Sequence, residues 1–256
     1  MSRDRTPPAD WDAVSYDELS DLQFEWGRQV LERLDLNGDE TVLDAGCGTG
    51  RVTALIAERV PQGRVIGVDG SPAMIQAARG NLDDEVELIV SDLLELELAE
   101  PVDVVFSNAV FHWIRDHDAL FRRLFAGLAS GGRLEAQCGG EGNVAELVDA
   151  LAETSEERPY SEHISARRPW LFANPEQTRE RLEAAAFDSV RCWTERKRVV
   201  LSEPERFHRA VGFAAHLDQL PEELHDAFVR AVLSRLDDPA VQQYVRLNIS
   251  ARRPHG

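Results

Sequence analysis

Lysine is almost absent from this chain: Lys197 is the only one, and every other basic residue is arginine. The formal net charge is −18, from 28 basic and 46 acidic residues. Proteins that bind nucleic acids need a basic surface, and anionic membranes repel an acidic one. The composition therefore argues against RNA, DNA and membranes as partners.

Cysteines and apolar runs are scarce too. The three cysteines, Cys47, Cys138 and Cys192, have no paired spacing, which predicts reduced thiols in a cytoplasmic protein. No spacing typical of metal ligands is present, so no metal is expected. Residues 1–10 lack the apolar core of a signal peptide, and no run approaches the ~20 apolar residues of a membrane span.

The most informative stretch that is present is a glycine-rich loop. Gly46, Gly48 and Gly50 follow a short apolar run that ends in Asp44, and a segment with helical spacing comes next. Strand, glycine turn and helix in this order predict the nucleotide-binding end of a doubly wound α/β domain.

The spacing of these glycines indicates which ligand is bound. A dinucleotide site needs Gly-x-Gly-x-x-Gly, so that a helix N-terminus faces a pyrophosphate. Here the third glycine comes one residue early, and Asp44 precedes the first glycine. A carboxylate would repel a diphosphate but suits an ammonium group. The loop therefore favours S-adenosylmethionine (SAM) and disfavours a nicotinamide-dependent oxidoreductase.

Two further strand ends carry acids that fit this ligand. We expect Asp69, about twenty residues after the loop, to accept hydrogen bonds from the ribose hydroxyls, or else to cap the following helix. Asp92 is placed to accept from the adenine amino group, and the Leu93 backbone to meet the ring edge. Met74 packs either on the adenosine or in the core. The predicted cofactor-binding residues are Asp44, Gly46, Gly48, Gly50, Asp69, Gly70, Met74, Ser91, Asp92, Leu93 and Asn108.

The chain resembles a known family in several segments. These are Asp44–Gly50, Asp69–Met74, Ser107–Trp113, Gly131-Gly132 and the closing Tyr244–Pro254. They resemble class I SAM-dependent methyltransferases, most closely the trans-aconitate methyltransferase branch and more distantly the juvenile hormone acid methyltransferases. The resemblance covers nearly the whole chain, although that branch tends to carry Gln where this chain has His112.

The resemblance and the strand pattern imply an α/β fold. We expect a doubly wound, mostly parallel seven-stranded sheet of the Rossmann-like class I methyltransferase type. The 256 residues are expected to form a single domain, as a monomer or homodimer. Its parts would be an N-terminal helical lid (1–36), a SAM-binding core (41–137) and two substrate-side cap segments (139–188 and 203–240). The second cap segment is a helical insertion before the last strand.

The acceptor is predicted from chemistry and resemblance together. A carboxylate is already ionised at neutral pH and needs no base, whereas a phenol or alcohol needs a proton acceptor. The resemblance implies a carboxylic acid, and hence small-molecule carboxyl O-methylation that yields S-adenosylhomocysteine. Two alternatives stay open. One is methylation of a phenol, amine or carbon centre with His112 as base, and the other is a non-catalytic SAM-binding module.

Candidate residues for the acceptor side are few. His112, Gln23 and Trp113 are the predicted catalytic residues: His112 as hydrogen-bond donor or base, Gln23 on the lid, and Trp113 as a pocket wall. The backbone carbonyl of Asn108 is expected to meet the SAM ammonium group. An arginine after the fifth strand can clamp a carboxylate. The predicted substrate-binding residues are Tyr16, Arg167, Arg168 and Trp170.

Overall fold

A seven-stranded sheet organises the molecule. The computed structural model describes residues 21–165 and 168–256. The strand order is β3-β2-β1-β4-β5-β7-β6, and β7 runs antiparallel to both of its neighbours while the other pairs are parallel. The strands are β1 (Thr41–Ala45), β2 (Arg64–Asp69), β3 (Glu87–Val90), β4 (Val102–Asn108), β5 (Leu128–Gly139), β6 (Asp188–Val200) and β7 (Val241–Arg252). The expected mostly parallel, doubly wound sheet is confirmed.

Helices cover both faces of this sheet and form an outer layer beyond its edge. They are α1 (Asp21–Leu31), α2 (Arg51–Arg59), α3 (Pro72–Asn81), α4 (His117–Gly127), α5 (Ala145–Glu156), α6 (Pro175–Ala184), α7 (Pro204–Phe207), α8 (Ala214–Leu217) and α9 (Glu222–Leu233). Short 3-10 helices span Phe111–Trp113 and Tyr160–Glu162, and a π-helical turn spans His208–Gly212.

Alternation along the strands divides the core into two layers. Successive strand side chains point to opposite faces. Val42 and Val104 therefore pack with Val30 and Leu31 of α1. The next residue along β1, Leu43, packs in the opposite layer with α4 and α6. A third cluster joins α5 and α9 away from the sheet. Its side chains come from residues 144–164, Trp170 and residues 213–236.

Two elements differ from the expected bounds. The apolar pattern predicts a fifth strand over Leu134–Cys138, but β5 starts at Leu128 and passes through an irregularity where Gly131 has a φ of 78°. The sequence pattern predicts one helix over 204–217, but the π-helical turn interrupts it, and the Phe213 N–H donates to the carbonyl of His208 five residues earlier. A Cβ at Gly212 would lie 3.2 Å from the His208 ring, so glycine at this position lets the turn lie close to that buried ring.

Candidate functional site

A cleft opens at the carboxyl ends of β1 and β4, where parallel α/β sheets bind ligands. Helix α1 covers one side of it, and the glycine-rich loop forms its floor. Its lining residues are Gln23, Phe24, Asp44, Gly46, Cys47, Gly48, Thr49, Arg51, Val52, Phe106, Asn108 and Ala109. Residues from the lid and the core thus meet at one site.

The three loop glycines have different roles. All have positive φ, at 92°, 55° and 86° for Gly46, Gly48 and Gly50. A Cβ at Gly46 would lie 2.1 Å from Val110, and one at Gly50 would lie 2.7 Å from Leu82, so these two glycines allow close packing. A Cβ at Gly48 would meet no atom within 4 Å. Gly48 is therefore where the backbone itself faces open space in the cleft.

Asp44 places a buried carboxyl group in the cleft. The residue is 2% exposed, and its Oδ2 accepts a 2.7 Å hydrogen bond from the Thr53 hydroxyl. Burial raises the pKa of the Asp44 carboxyl to about 7, and the nearby Asp69 carboxylate acts in the same direction. A cation bound beside it would restore the charged form.

Helix α1 is held over the cleft by contacts with the core. Asn108 donates from Nδ2 to the backbone carbonyl of Gln23 at 2.9 Å. The Arg51 guanidinium lies 4.4 Å above the Phe24 ring and forms a 2.8 Å ion pair with Asp21. Gln23 is therefore brought to the cleft.

The acceptor atoms in this cleft fit an ammonium ligand. Gln23 Oε1 and Asn108 Oδ1 are buried and have no hydrogen-bond partner, and both residues line the cleft with Asp44. Buried acceptors without donors are unfavourable, so three oxygen-bearing side chains around one cleft fit a group with several N–H donors. The amino acid end of SAM is such a group.

Asp69 ties the glycine loop to the end of β2. Its Oδ2 accepts from the Gly48 N–H at 3.0 Å, and its Oδ1 accepts from the Ser71 N–H at 2.9 Å. Ser71, and not Asp69, caps helix α3, because its hydroxyl accepts from the Met74 N–H at 3.3 Å. Burial raises the pKa of the Asp69 carboxyl. Lone pairs remain on both oxygens for ribose hydroxyls.

The predicted adenine side lies beside Asp69. Gly70 follows it directly, and the Ser91 N–H donates to the Asp69 carbonyl at 3.0 Å. Asp92 is exposed and accepts from the Leu94 N–H at 2.9 Å. Met74 and Leu93 are 4% and 5% exposed. The structure thus brings these predicted residues to adjacent strand ends, with two of them largely in the core.

His112 has a fixed tautomer. It is 9% exposed, and its Nδ1 accepts a 3.2 Å hydrogen bond from the Gly139 N–H. Since a backbone N–H can only donate, Nδ1 is unprotonated and Nε2 carries the proton. Burial, assisted by the positive charge of Arg246, lowers the pKa of His112 to about 3. The imidazole is therefore a neutral hydrogen-bond donor through Nε2.

Neighbouring contacts fix the 3-10 turn that carries His112. The His117 Nε2 lies 2.9 Å from the carbonyl oxygen of Phe111 and donates to it. The Leu171 N–H donates to the carbonyl of His112 at 2.8 Å. The carbonyls of Phe111 and His112 are thus both engaged, which holds the backbone that carries the histidine ring in place.

Of the residues predicted for the acceptor side, two tryptophans contact each other and Arg168 lies apart from the cleft. Trp113 and Trp170 are half-buried, and their rings contact edge to face at 5.6 Å. Arg168, by contrast, forms an exposed 2.8 Å ion pair with Asp149 and does not line the described cleft. Tyr16 and Arg167 lie outside the described residues.

Arg246 is a residue that we did not single out from the sequence. It is 3% exposed, pairs with Gly139 across β5 and β7, and lies 4.4 Å above the Trp26 ring. Its Nε donates to Gln137 at 3.2 Å. The sequence signal that could have identified Arg246 is the alternation of polar residues along the otherwise apolar last strand. Tyr244, Arg246, Asn248 and Ser250 occupy every second position there.

Neither a metal-binding cluster nor a membrane-spanning helix is present in the described ranges. Among residues 21–165 and 168–256, no three His, Cys, Asp or Glu side chains are grouped so as to hold a metal ion. No described helix combines the length and apolar character needed to cross a membrane.

Comparisons with known proteins agree with this geometry. A sequence profile described as "Methyltransferase domain" matches residues 42–132. Trans-aconitate 2-methyltransferase of Rhizobium rhizogenes (strain K84) is 30% identical over 241 residues, which cover 89% of this chain and 90% of the relative. The enzyme of the same name from Azoarcus sp. (strain BH72) is 42% identical over 127 residues, which cover only half of each chain.

A solved structure shows the same fold. Phosphoethanolamine N-methyltransferase 2 of Haemonchus contortus, in complex with S-adenosyl-L-methionine, superposes with a TM-score of 0.64 at 23% identity. The superposition covers 98% of this chain and 59% of that one. From the matched profile and the full-length relative, the chain belongs to the trans-aconitate methyltransferase branch of the class I SAM-dependent methyltransferases.

Proposed function

We propose that the protein is a SAM-dependent methyltransferase that O-methylates the carboxylate of a small-molecule acid. The observation that carries the proposal is the state of His112, a buried neutral imidazole whose remaining proton is on Nε2. It lies beside a buried guanidinium, and it follows the cleft residues Asn108 and Ala109 by a few positions. A donor and a cation suit an acceptor that is already an anion.

Different residues at the cleft would bind different groups of the cofactor. Asp44, Gln23 and Asn108 supply acceptors for the ammonium group, and Asp69 supplies acceptors for the ribose hydroxyls. When bound, SAM supplies an electrophilic methyl carbon: the carboxylate oxygen bonds to it as the carbon–sulfur bond breaks, and the electron pair stays on sulfur. The backbone at Gly48 leaves room for close approach.

His112 and Arg246 would orient the acceptor. A carboxylate between the Nε2–H and the guanidinium is positioned without transfer of a proton, since it is ionised at neutral pH. Alignment of nucleophile and electrophile and exclusion of water then supply the main catalytic effects. Arg246 is held for this by Gln137 and the Trp26 ring.

The geometry disfavours the alternative with His112 as base. A base needs an unprotonated nitrogen directed at the acceptor, but the Nδ1 lone pair of His112 faces the Gly139 N–H. Burial also holds its pKa near 3, far below that of a useful base at neutral pH. A phenol, amine or carbon acceptor would need another proton acceptor.

Methyl transfer from isotope-labelled SAM to a mixed panel of carboxylic acids and phenols tests the proposal. After the reaction, mild base releases methanol from esters but leaves ethers, amines and carbon-bound methyl groups intact. We expect the label to appear as methanol. A matched reaction with the Asp69→Ala variant, which should bind the cofactor weakly, controls for transfer by contaminants.

Two results would contradict the proposal. Base-stable label would favour an ether, amine or carbon product. Tight SAM binding without transfer to any member of a broad acid panel would favour the non-catalytic binding module.

A further inference from the structure

A buried polar side chain on the last strand contacts the end of the helix that carries Gln23. Asn248 on β7 is fully buried. Its Oδ1 accepts a hydrogen bond from Arg33 Nη2 at 2.6 Å and a second one from Gln137 Nε2 at 2.6 Å. Arg33 comes two residues after α1 ends. Asn248 therefore joins the end of α1 to the sheet.

The Asn248 amide is held in one orientation. Gln137 lies directly opposite it, where β5 pairs with β7. The Asn248 Nδ2 donates to the carbonyl of Arg246 at 3.3 Å. An amide oxygen can accept two hydrogen bonds and an amide nitrogen can only donate, so these contacts direct Oδ1 toward Arg33.

The Arg33 guanidinium is packed against the same face of the sheet. It lies 5.0 Å from the centre of the Trp193 ring on β6. Burial lowers the pKa of Arg33, and the carboxylates of Glu135 and Glu195 oppose that change. A planar guanidinium that rests on a ring and bonds an acceptor in its plane has a defined position. The hydrogen bond to Asn248 supplies that acceptor.

Helix α1 has a second contact with β7. The Trp26 ring meets the Tyr244 ring edge to face at 4.9 Å, and the Arg246 guanidinium lies 4.4 Å from the centre of the Trp26 ring. Tyr244, Arg246 and Asn248 occupy alternate positions along β7 and so lie on one face of the sheet. Two contacts, one at Trp26 and one at Arg33, therefore fix where along the strand the helix lies.

Apolar packing by itself sets this position less sharply. Val30 and Leu31 of α1 are buried in one layer of the core, but the hydrophobic effect has no direction, so a small tilt of the helix keeps them buried. A hydrogen bond weakens steeply with distance and angle. The bond between Arg33 and Asn248 therefore opposes a tilt. Since Gln23 lies near the other end of α1, a tilt would move it within the cleft.

We propose, on the basis of the cofactor role given to Gln23 above, that Asn248 is a positioning residue for cofactor binding. It holds Arg33, and thereby α1, where the Gln23 side chain meets the ammonium group of the cofactor. Asn248 is not among the residues that line the cleft, so its effect reaches the cofactor through the helix.

Calorimetric titration with S-adenosylhomocysteine tests this role without turnover. Asn248→Leu removes the acceptor and leaves two buried donors without it, so we expect the Kd to rise about three- to tenfold. Asn248→Asp keeps an acceptor oxygen for Arg33, so we expect a smaller rise. Gln242→Leu is the matched control and should leave the Kd unchanged, because Gln242 is a buried amide of the same strand that contacts His208.

Arg33→Met breaks the same hydrogen bond from the helix side, and it keeps the test available if Asn248→Leu does not fold. We expect a similar rise in the Kd. Its matched control is Arg28→Met, since Arg28 forms an exposed ion pair with Glu25 of the same helix, and the Kd should stay unchanged there.

A double-mutant cycle separates positioning from a general loss of stability. Gln23→Ala should itself raise the Kd about three- to tenfold. If Arg33 acts by positioning Gln23, Arg33→Met should raise the Kd by less than about twofold further in the Gln23→Ala background. Full additivity of the two substitutions, or an unchanged Kd in folded Asn248→Leu and Arg33→Met, would overturn the inference.

The two proposals fail in different measurements. Base-stable label in the methyl-transfer assay contradicts carboxyl methylation and leaves the titrations with S-adenosylhomocysteine as they are. An unchanged Kd in Gln23→Ala contradicts the cofactor role of Gln23 and overturns the positioning role of Asn248 with it, whereas a base-labile product would still support carboxyl methylation.

Discussion

The Nδ1 atom of His112 accepts a hydrogen bond from the backbone N–H of Gly139 at 3.2 Å. This contact joins the 3-10 turn after β4 to the last residue of β5. It fixes the ring orientation and the tautomer together, because only an unprotonated nitrogen can accept from a backbone donor. The role of His112 as donor follows from it.

Replacement of His112 by Gln should retain most activity, since the Gln amide can also donate to a carboxylate, whereas His112→Ala should lose about tenfold or more in kcat/KM.

Because burial holds the pKa of His112 near 3, its charge does not change between pH 6 and 8. We expect a flat profile of kcat/KM over that range in steady-state kinetics. A rise with pH that disappears in His112→Gln would instead identify a base.

The affinity for S-adenosylhomocysteine should depend on the protonation of Asp44. Burial raises the pKa of Asp44 to about 7 in the free protein, and a bound ammonium group lowers it. Binding then releases a proton below pH 7, so the affinity falls on acidification, by up to about tenfold per pH unit. Calorimetry in two buffers of different ionisation enthalpy measures this release.

Asp44→Asn should abolish the proton release and weaken binding at pH 8. Asp39→Asn, an exposed acid near β1, serves as the matched control and should behave as the unmodified protein. Equal binding enthalpies in both buffers for the unmodified protein would show that Asp44 is not linked to the ligand.

Asp69→Ala should weaken SAM binding by at least about tenfold, because charge-assisted hydrogen bonds worth ~1.5–3 kcal/mol are lost. The structure adds a second effect: the carboxylate also holds the Gly48 and Ser71 N–H groups. Asp69→Asn keeps one acceptor oxygen, so we expect a smaller loss of SAM affinity than in Asp69→Ala. Calorimetric titration of both variants measures it, and unchanged affinity in Asp69→Ala would contradict the assignment.

Gly27 allows helix α1 to lie close to the core. A Cβ there would be 2.7 Å from Val52 and 3.2 Å from Asn108. Gly27→Ala should destabilise the protein by ~1–3 kcal/mol and weaken cofactor binding, since the helix carries Gln23. Gly80→Ala, in a helix where a Cβ meets nothing within 4 Å, should stabilise by ~0.4–1 kcal/mol. Denaturant unfolding measures the free energy of unfolding of both variants. Equal changes would contradict the close approach of α1 to the core.

Arg246→Met should raise the KM for the acid substrate and leave the Kd for S-adenosylhomocysteine within about twofold, because Arg246 is proposed to contact the acid and does not line the cleft that fits the cofactor. Arg246→Lys retains the charge and should recover part of the loss. Arg253→Met is the matched control, since that guanidinium lies over Phe125 near the start of β5. An unchanged KM in a folded Arg246 variant would exclude the proposed contact.

Much of the fold follows from local pattern. Apolar strands alternating with helical segments predicted the doubly wound sheet, and the glycine loop with Asp44 predicted its ligand-binding edge. Asp44, Gln23 and Asn108 lie around one cleft at that edge. The roles of all the predicted site residues remain predictions, and Tyr16 and Arg167 lie outside the described residues.

What the sequence by itself determined was the order of elements and the type of cofactor, since both depend on residues close together in the chain. Only the tertiary structure decided the acceptor side. The protonation of His112 depends on Gly139, 27 residues away, and its pKa depends on the charge of Arg246 and on burial. The Trp113 and Trp170 rings likewise meet only because the segment after β5 returns to the turn after β4. Such contacts between distant segments leave no periodic pattern, because burial and charge at a site arise from packing and not from neighbours in sequence.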